Sequence, residues 1–283
     1  MGGSLVEIPF SDWPELRTLY RRNWPEHVFA FGIISNYLRW KQLHSEAQVN
    51  VKIFSIDGTW RENGTFLLFD EFELYFYSFD IASDYTSLTE ALSLVNWKSF
   101  HEISMDFLEK HRTALDKVIF AKELHVTEDS TTNFYYMRRE EASKLIVEIP
   151  SGTKFNRVSD KYLDNIYKQW SLKGYISETS GYNLLKRLVS FNESIGLFDK
   201  CGNLLSWCLR DQSGAVSNLQ TNASHLRNGF GRAVCSEFAR RLANLGDDSY
   251  AYVLSDNHKS CKLFESVGFQ KTTNLHWMII KRV

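Results

Sequence analysis

The chain has 283 residues, enough for one large or two ordinary domains, with 43% hydrophobic residues, 24% charged residues and only 4 prolines. A formal net charge of -1 supplies no basic excess for non-specific nucleic-acid binding, and no apolar run nears the ~18 residues of a membrane span. The stretch MGGSLVEIPFSDWPE has no signal-peptide core, is too acidic for a transit peptide, and carries Val6 where myristoylation asks for Ser or Thr, so a cytoplasmic protein is expected.

In chain order, Ser11 or Asp12 reads as the cap of an early helix, with Pro14 in its first turn. VNVKIFSID and TFLLFD read as strands separated by a turn at Asn63-Gly64, and ELYFYSFD as a third. SLTEALSLV reads as a helix. NWKSFHEISMDFLEKHRTALDKVIFAKEL reads as a link and a second helix, with Phe100, Ile103, Phe107 and Leu108 near helical spacing. His101, His111 and His125 are scattered, and no catalytic constellation stands out in this half. The polar stretch HVTEDSTTNFYYMRREEASKL leads onward, placing a domain boundary near Glu140 and domains at 1–140 and 141–283.

The second half opens with two helices, SDKYLDNIYKQWSL behind a Ser159 or Asp160 cap and SGYNLLKRLVSF. Three strands follow in SIGLFDKCGNLLSWCLRDQSGAVSNLQT, joined by turns at Asp199–Gly202 and Asp211–Gly214. GFGRAVCSEFARRLANLG is a helix with Val234, Phe238, Leu242 and Leu245 on one face and Gly246 as its stop. SYAYVLSD is a strand, NHKSCKLFESVG a helix ended by Gly268, and FQKTTNLHWMIIKRV the last one or two strands. The order is α-α-β-β-β-α-β-α-β, a mixed α/β class. The four cysteines, Cys201, Cys208, Cys235 and Cys261, form no CxxC and no zinc spacing with histidine, so no metal is expected.

The segment HLRNGFGRAV sets two glycines ahead of an amphipathic helix. Free first-turn amides and the positive end of the helix dipole make such a place an anion site. A dinucleotide fingerprint fails at its third glycine, which is Val234, and the P-loop pattern is absent. A coenzyme A cradle is the third class that fits.

LRNGFGRAVCSEFARRL, followed by SDNHKSCKLFESVGF, resembles the paired signatures of the GCN5-related N-acetyltransferase (GNAT) superfamily, as does the element order. The glycine N-acyltransferase-like family is similar in more detail, through Trp207, Asp211, Gln212 and Gly214 of WCLRDQSGAVSN and through Asn96, Trp97 and Lys98. The resemblance implies a GNAT acyl-CoA N-acyltransferase fold in two tandem domains, the N-terminal one degenerate. It implies transfer of an acyl group from a coenzyme A thioester to a small amine or amino acid by direct attack. It places the pantetheine arm along Ser217–Thr221, with Leu219 and Thr221 in contact, and the pyrophosphate on the amides of Arg227, Asn228, Gly229, Phe230 and Gly231. Asn257 and Ser260 would reach the pantetheine or diphosphate, and Phe264 stands at the aromatic position beside the coenzyme. Some relatives are mitochondrial.

The sequence departs from the pattern at three positions. Leu226 replaces the opening Arg or Gln, Ala215 replaces a Glu proposed as base in glycine-conjugating members, and Phe264 replaces the Tyr that protonates the thiolate. Packing against the sheet is the other role open to Phe264. Acyl transfer needs a proton acceptor for the amine and a proton for the thiolate; the candidates are His225, which could titrate near neutrality, and Tyr252, which could serve as an acid, with solvated and packed roles as their alternatives. Tyr250 is a second tyrosine on the same strand. Cys235, Cys261 and Lys259 have no evident catalytic partner. The partners expected are acyl-CoA and a small amine, with no nucleic acid and no membrane. Two other readings stay open: a non-catalytic descendant that binds coenzyme A or protein, and a peptide N-acetyltransferase.

Overall fold

The computed structural model describes residues 3–44, 49–80 and 86–282. Met1 and Gly2, which the myristoylation argument concerns, lie outside them. The chain divides into two compact units, Met1–Thr131 with Asn274–Val283, and Thr132–Thr273. It therefore crosses between units twice, whereas the sequence suggested one cut near Glu140.

The elements run β1 (Leu5–Glu7), α1 (Trp13–Leu19), α2 (Val28–Leu43), β2 (Val51–Ile56), α3 (Trp60–Asn63), β3 (Phe66–Asp70), β4 (Glu73–Tyr77), α4 (Thr86–Ser93), β5 (Glu102–Leu108), α5 (Arg112–Lys122) and β6 (Val126–Met137). They continue α6 (Arg139–Ala142), β7 (Thr153–Asn156), α7 (Leu163–Gln169), α8 (Glu178–Phe191), β8 (Ser194–Asp199), β9 (Leu204–Arg210), β10 (Val216–Thr221), α9 (Phe230–Asn244), β11 (Ser249–Leu254), α10 (His258–Val267) and β12 (Gln270–Lys281).

In the first unit the strands order β1-β2-β3-β4-β5-β12. The pairs are antiparallel except β4 with β5, which run parallel. The core packs α4 and α5 on the sheet through Leu88, Leu92, Leu115 and Val118 against Phe76, Met105, Phe107 and Met278. Three expectations need correcting here. The run from Phe100 to Leu108 is mostly the strand β5 rather than a helix; it is buried on both faces, so period-2 alternation disappears. The polar stretch after His125 is strand β6, whose first half alternates half-buried and exposed residues. The turn at Asn63-Gly64 is the end of the short helix α3, with Gly64 in the left-handed conformation as its cap. Helix α1 does carry Pro14 in its first turn, but the Asp12 side chain makes no capping hydrogen bond.

In the second unit β7 to β10 form an antiparallel sheet in the order β10-β9-β8-β7, and β11 pairs antiparallel with the end of β6. Helices α9 and α10 cover one face of both. Their Val234, Phe238, Leu242, Phe264 and Val267 pack with Leu197, Cys208, Val216, Ala251 and Val253. The heptad-like spacing of those helical residues puts them on one stripe, and burying that stripe is what holds the two helices down. Ser177 Oγ accepts from Ser180 N at 3.2 Å and starts α8. Asn257 Oδ1 accepts from Ser260 N at 3.2 Å and starts α10. Strand β7 was not anticipated.

Candidate functional site

Strands β10 and β11 lie side by side in the second unit, yet no strand pairing joins them; each ends its own sheet. Across β10 the register steps from Ser217↔Leu209 to Gln220↔Trp207, so β10 carries one residue more than β9. Asn218 takes the strain of that bulge in the left-handed region, at φ 50°. A bulge turns backbone groups out of the ladder, and this one lies on the edge strand beside β11.

The chain leaves β10 through the loop that opens α9. Arg227 and Gly229 are both left-handed, at φ 66° and 74°, and Gly229 is the residue before the helix. These two reversals bring the backbone round so that the first amides of α9 point off the helix end without carbonyl partners in the helix. A Cβ on Gly229 would meet nothing within 4 Å, so glycine is needed there for conformation alone. A Cβ on Gly231 would sit 3.2 Å from Leu263 Cδ1 and 3.3 Å from Thr221 Oγ1, so that glycine is also a matter of space. The surface of the loop is open: Leu226, Arg227, Asn228 and Arg232 are exposed. Arg227 and Arg232 make no ion pair with any described residue.

The other expected site residues divide. Leu219 is half-buried against the core, and Thr221 Oγ1 lies 2.8 Å from Ser206 Oγ, so both anchor β10 as well as lining its edge. The Phe230 ring stacks on the His225 ring at 6.2 Å. His225 Nδ1 is 2.9 Å from Ser224 Oγ and its carbonyl accepts from Asn228 Nδ2 at 3.2 Å, so His225 shapes the loop. Asn257 and Ser260 are joined by the α10 cap, which commits the Asn257 carbonyl oxygen and the Ser260 amide. Phe264 is a core residue: it is 3% exposed, stacked on Tyr135 at 5.9 Å and edge-on to Phe269 at 5.1 Å. The packing role left open for it is the one this geometry supports. Cys235 and Cys208 are buried, and burial pushes the Cys235 thiol up to about 12. Neither is a nucleophile in waiting.

A polar network missed from sequence lies at the start of β10. Asp211 Oδ1 accepts from Ser213 Oγ at 2.5 Å, from Ser213 N at 2.9 Å and from Ala215 N at 3.0 Å. Ser213 Oγ is 3.1 Å from the Tyr252 phenol, and the Tyr250 phenol donates to the Ser213 carbonyl at 2.8 Å. Desolvation lifts the Asp211 carboxyl to about 6, with the hydrogen bonds from Ser213 and Ala215 and the nearby Arg210 charge pulling the other way. The Asp-x-Ser spacing of an Asx turn is visible in the sequence. The link to Tyr252, on a strand far along the chain, is not.

The first unit treats the matching place differently. Its β4 and β5 pair only near their starts, at Glu73↔Ser104. Beyond that point side chains tie the strands together. Phe76 stacks on Phe107 at 5.3 Å, Lys110 Nζ donates to the Tyr77 phenol at 2.8 Å, and His111 Nε2 lies 3.2 Å from the Ser78 carbonyl. His27 Nδ1 adds a 2.6 Å bond to the same phenol. Burial lowers the Lys110 ammonium to about 8 and His111 to about 3. So His111, one of the histidines that look scattered in sequence, joins its neighbour Lys110 in a plug between strands.

Two strands splayed around a bulge, with a glycine-led helix end at their mouth, decide the architecture. The chain has the fold of the GCN5-related N-acetyltransferases, in tandem. A Drosophila protein is 20% identical over 99% of both chains, with a TM-score of 0.87. A tandem GNAT protein from the clavulanic acid biosynthesis pathway is 10% identical over 99% of this chain and 98% of its own, with a TM-score of 0.59. A GCN5-related N-acetyltransferase from Sphaerobacter thermophilus is 12% identical over 99% and 95%, with a TM-score of 0.56. Residues 194–278, from β8 into β12, match the family model of FR47-like proteins. That stretch contains β10, the loop that opens α9, β11 and α10. Among the described residues no group of His, Cys, Asp and Glu gathers to hold a metal ion, and no helix is long and apolar enough to cross a membrane.

Proposed function

We propose that the second unit is an acyl-CoA-dependent N-acyltransferase acting on a small amine or amino acid, of the glycine N-acyltransferase kind. The observation that carries this is the end of α9. Its free amides, led by left-handed Arg227 and Gly229, sit at the open mouth between β10 and β11, with unpaired arginines beside them. A pyrophosphate fits that cradle, because it needs several N–H donors, a positive dipole end and close backbone approach. Gly229, Phe230, Gly231 and Arg232 would hold it. The open edge of β10 offers amides to a pantetheine arm, and the bulge at Asn218 supplies a backbone N–H to polarise a thioester carbonyl. Bound acyl-CoA brings an activated acyl carbon and a thiolate leaving group. The chain's part is to fix that carbon beside the amine and to take the amine's proton. The buried cysteines favour direct attack over an acyl-enzyme route.

Calorimetry with acetyl-CoA and a bulkier acyl-CoA tests the reading. Micromolar binding is expected, weakened about tenfold or more in Gly229→Asp, whose carboxylate opposes the phosphate charge. Equal affinity in wild type and variant overturns it. Exposed Leu226 in place of Arg or Gln, and fully buried Ala215 in place of Glu, support a second reading as a coenzyme A binder without turnover. Binding with no thiol release across acceptor amines would select that one, and acylation of peptides alone would select a peptide acetyltransferase.

A further inference from the structure

A lysine keeps its proton where water or a carboxylate stabilises the charge, and Lys110 has little of either. We propose that Lys110 is an acylation site: its Nζ takes a short acyl group from a small thioester, ahead of the exposed lysines of the chain. This goes beyond the acyltransferase reading above, because it needs neither the α9 loop nor turnover in the second unit.

The side chain is half-buried just beyond β5, and it makes no ion pair with any described residue. The neighbouring Glu109 carboxylate is taken up by His276 Nε2 at 2.8 Å. Among the described residues, Nζ has its hydrogen-bond partner in the Tyr77 phenol, to which it donates at 2.8 Å. That phenol oxygen also lies 2.6 Å from His27 Nδ1, and the Tyr77 ring meets the His111 ring edge-on at 4.9 Å. Burial holds the phenol far above its ordinary range and both histidines below theirs. All three groups around the amine are therefore neutral at pH 7.5.

Two charged side chains act nearby, Glu26 on Lys110 and Arg22 on His27, both from the link between α1 and α2. Glu26 favours the ammonium, but from beyond ion-pair distance. The Tyr77 ring face, 4.2 Å from Nζ, favours it too. Desolvation opposes both and lowers the group to about 8. At pH 7.5 the neutral fraction is then more than about 100-fold that of a lysine at the ordinary value of about 10.4. Desolvation of this kind is what turns a lysine into a nucleophile. A neutral amine that gives one N–H to Tyr77 still has its lone pair, so the hydrogen bond orients the nucleophile without consuming it.

The step balances. The Nζ lone pair forms a C–N bond to the thioester carbonyl carbon, and the C–S bond breaks. The proton shed by nitrogen joins the departing thiolate, giving a free thiol and an amide. The acylated Lys110 is uncharged and keeps one N–H for the Tyr77 oxygen.

The test incubates the full chain with S-acetyl-N-acetylcysteamine, a thioester without a nucleotide, from pH 6.5 to 10. Peptide mass spectrometry follows acetylation at each lysine. At pH 7.5 Lys110 should label at least about tenfold faster than the exposed lysines, a margin that allows for its partial burial. Its rate should level off above about pH 8, while theirs climbs about tenfold per pH unit. Glu26→Gln, at an exposed position, should move the levelling point to lower pH, because a carboxylate that favours the ammonium is gone. A second readout needs no reaction: the carbon-13 signal of the Lys110 Cε should titrate near pH 8. Lys110 labelled no faster than the exposed lysines, or a rate still climbing beyond pH 9, overturns this proposal and leaves the acyltransferase reading untouched. Absence of acetyl-CoA binding in calorimetry removes that reading and leaves this one standing.

Discussion

Lys110 carries a pH dependence that its burial dictates. Desolvation lowers its folded pKa to about 8, against an unfolded value of about 10.4, with Glu26 opposing. Between those values the unfolded chain binds a proton that the folded chain does not, so stability rises with pH across that window. The urea midpoint of wild type should climb from pH 8 to 10 relative to Lys110→Met; parallel profiles would contradict the assignment. Asp211 has the opposite sign. Its folded pKa of about 6 lies above the unfolded value of about 3.9, so stability is lost as pH rises through that range. At pH 7.5 Asp211→Asn should melt no lower than wild type. A large drop in Tm would mean that the carboxylate is needed for the turn itself. Tyr252, by contrast, was a candidate in the sequence without any visible partner. Nothing local pairs it with Ser213, 39 residues earlier.

At the scale of elements, legibility followed the pattern of burial. The stripes of α9 and α10 were readable because each has one wet face. Their energetics should differ by site. Phe238→Ala, at a fully buried position, should cost about 3–5 kcal/mol in urea unfolding. Asn257→Ala, which removes one exposed cap, should cost about 1 kcal/mol. Equal costs would show that the α9 stripe repacks. Elements buried on all sides were not readable in this way. Helix α2 buries residues around its whole circumference, from Phe29 and Ala30 to Ile33, Ile34 and Asn36, so no polar face marks a helical period. Strand β5 is buried on both faces and lost its alternation. Strand β6 was taken for a polar link because its first half keeps one side exposed.

At the scale of the molecule, the two units are not equivalent. The second has an open mouth led by Arg227 and Gly229, both at φ above zero. In the first, Tyr77, Lys110 and His111 bridge β4 and β5 where the other unit splays. Calorimetry should therefore give one acetyl-CoA per chain, and two equivalent sites would contradict the plug. The C-terminal residues matter to the first unit, where β12 pairs with β5 from Leu275↔Leu108 to Lys281↔Glu102 and places Met278 and Ile280 in the core. A chain ending at Thr273 should lose hydrogen-exchange protection in β5, and unchanged protection there would contradict the partition.

The sequence by itself determined the order of elements from α7 onward, a cap for α10 at Asp256 or Asn257, the stops at Gly246 and Gly268, and the glycine-led start of α9. Each is a short-range signal, settled within a turn or two of chain by backbone conformation and side-chain reach. Tertiary structure decided the rest: that Phe264 packs in the core, that the last strand returns to the first unit, that Lys110 closes one cleft, and that Asp211, Ser213 and Tyr252 line up beside the other. Those outcomes depend on which strands lie next to each other and on how much water is excluded there. Neither quantity is encoded in any local stretch of residues.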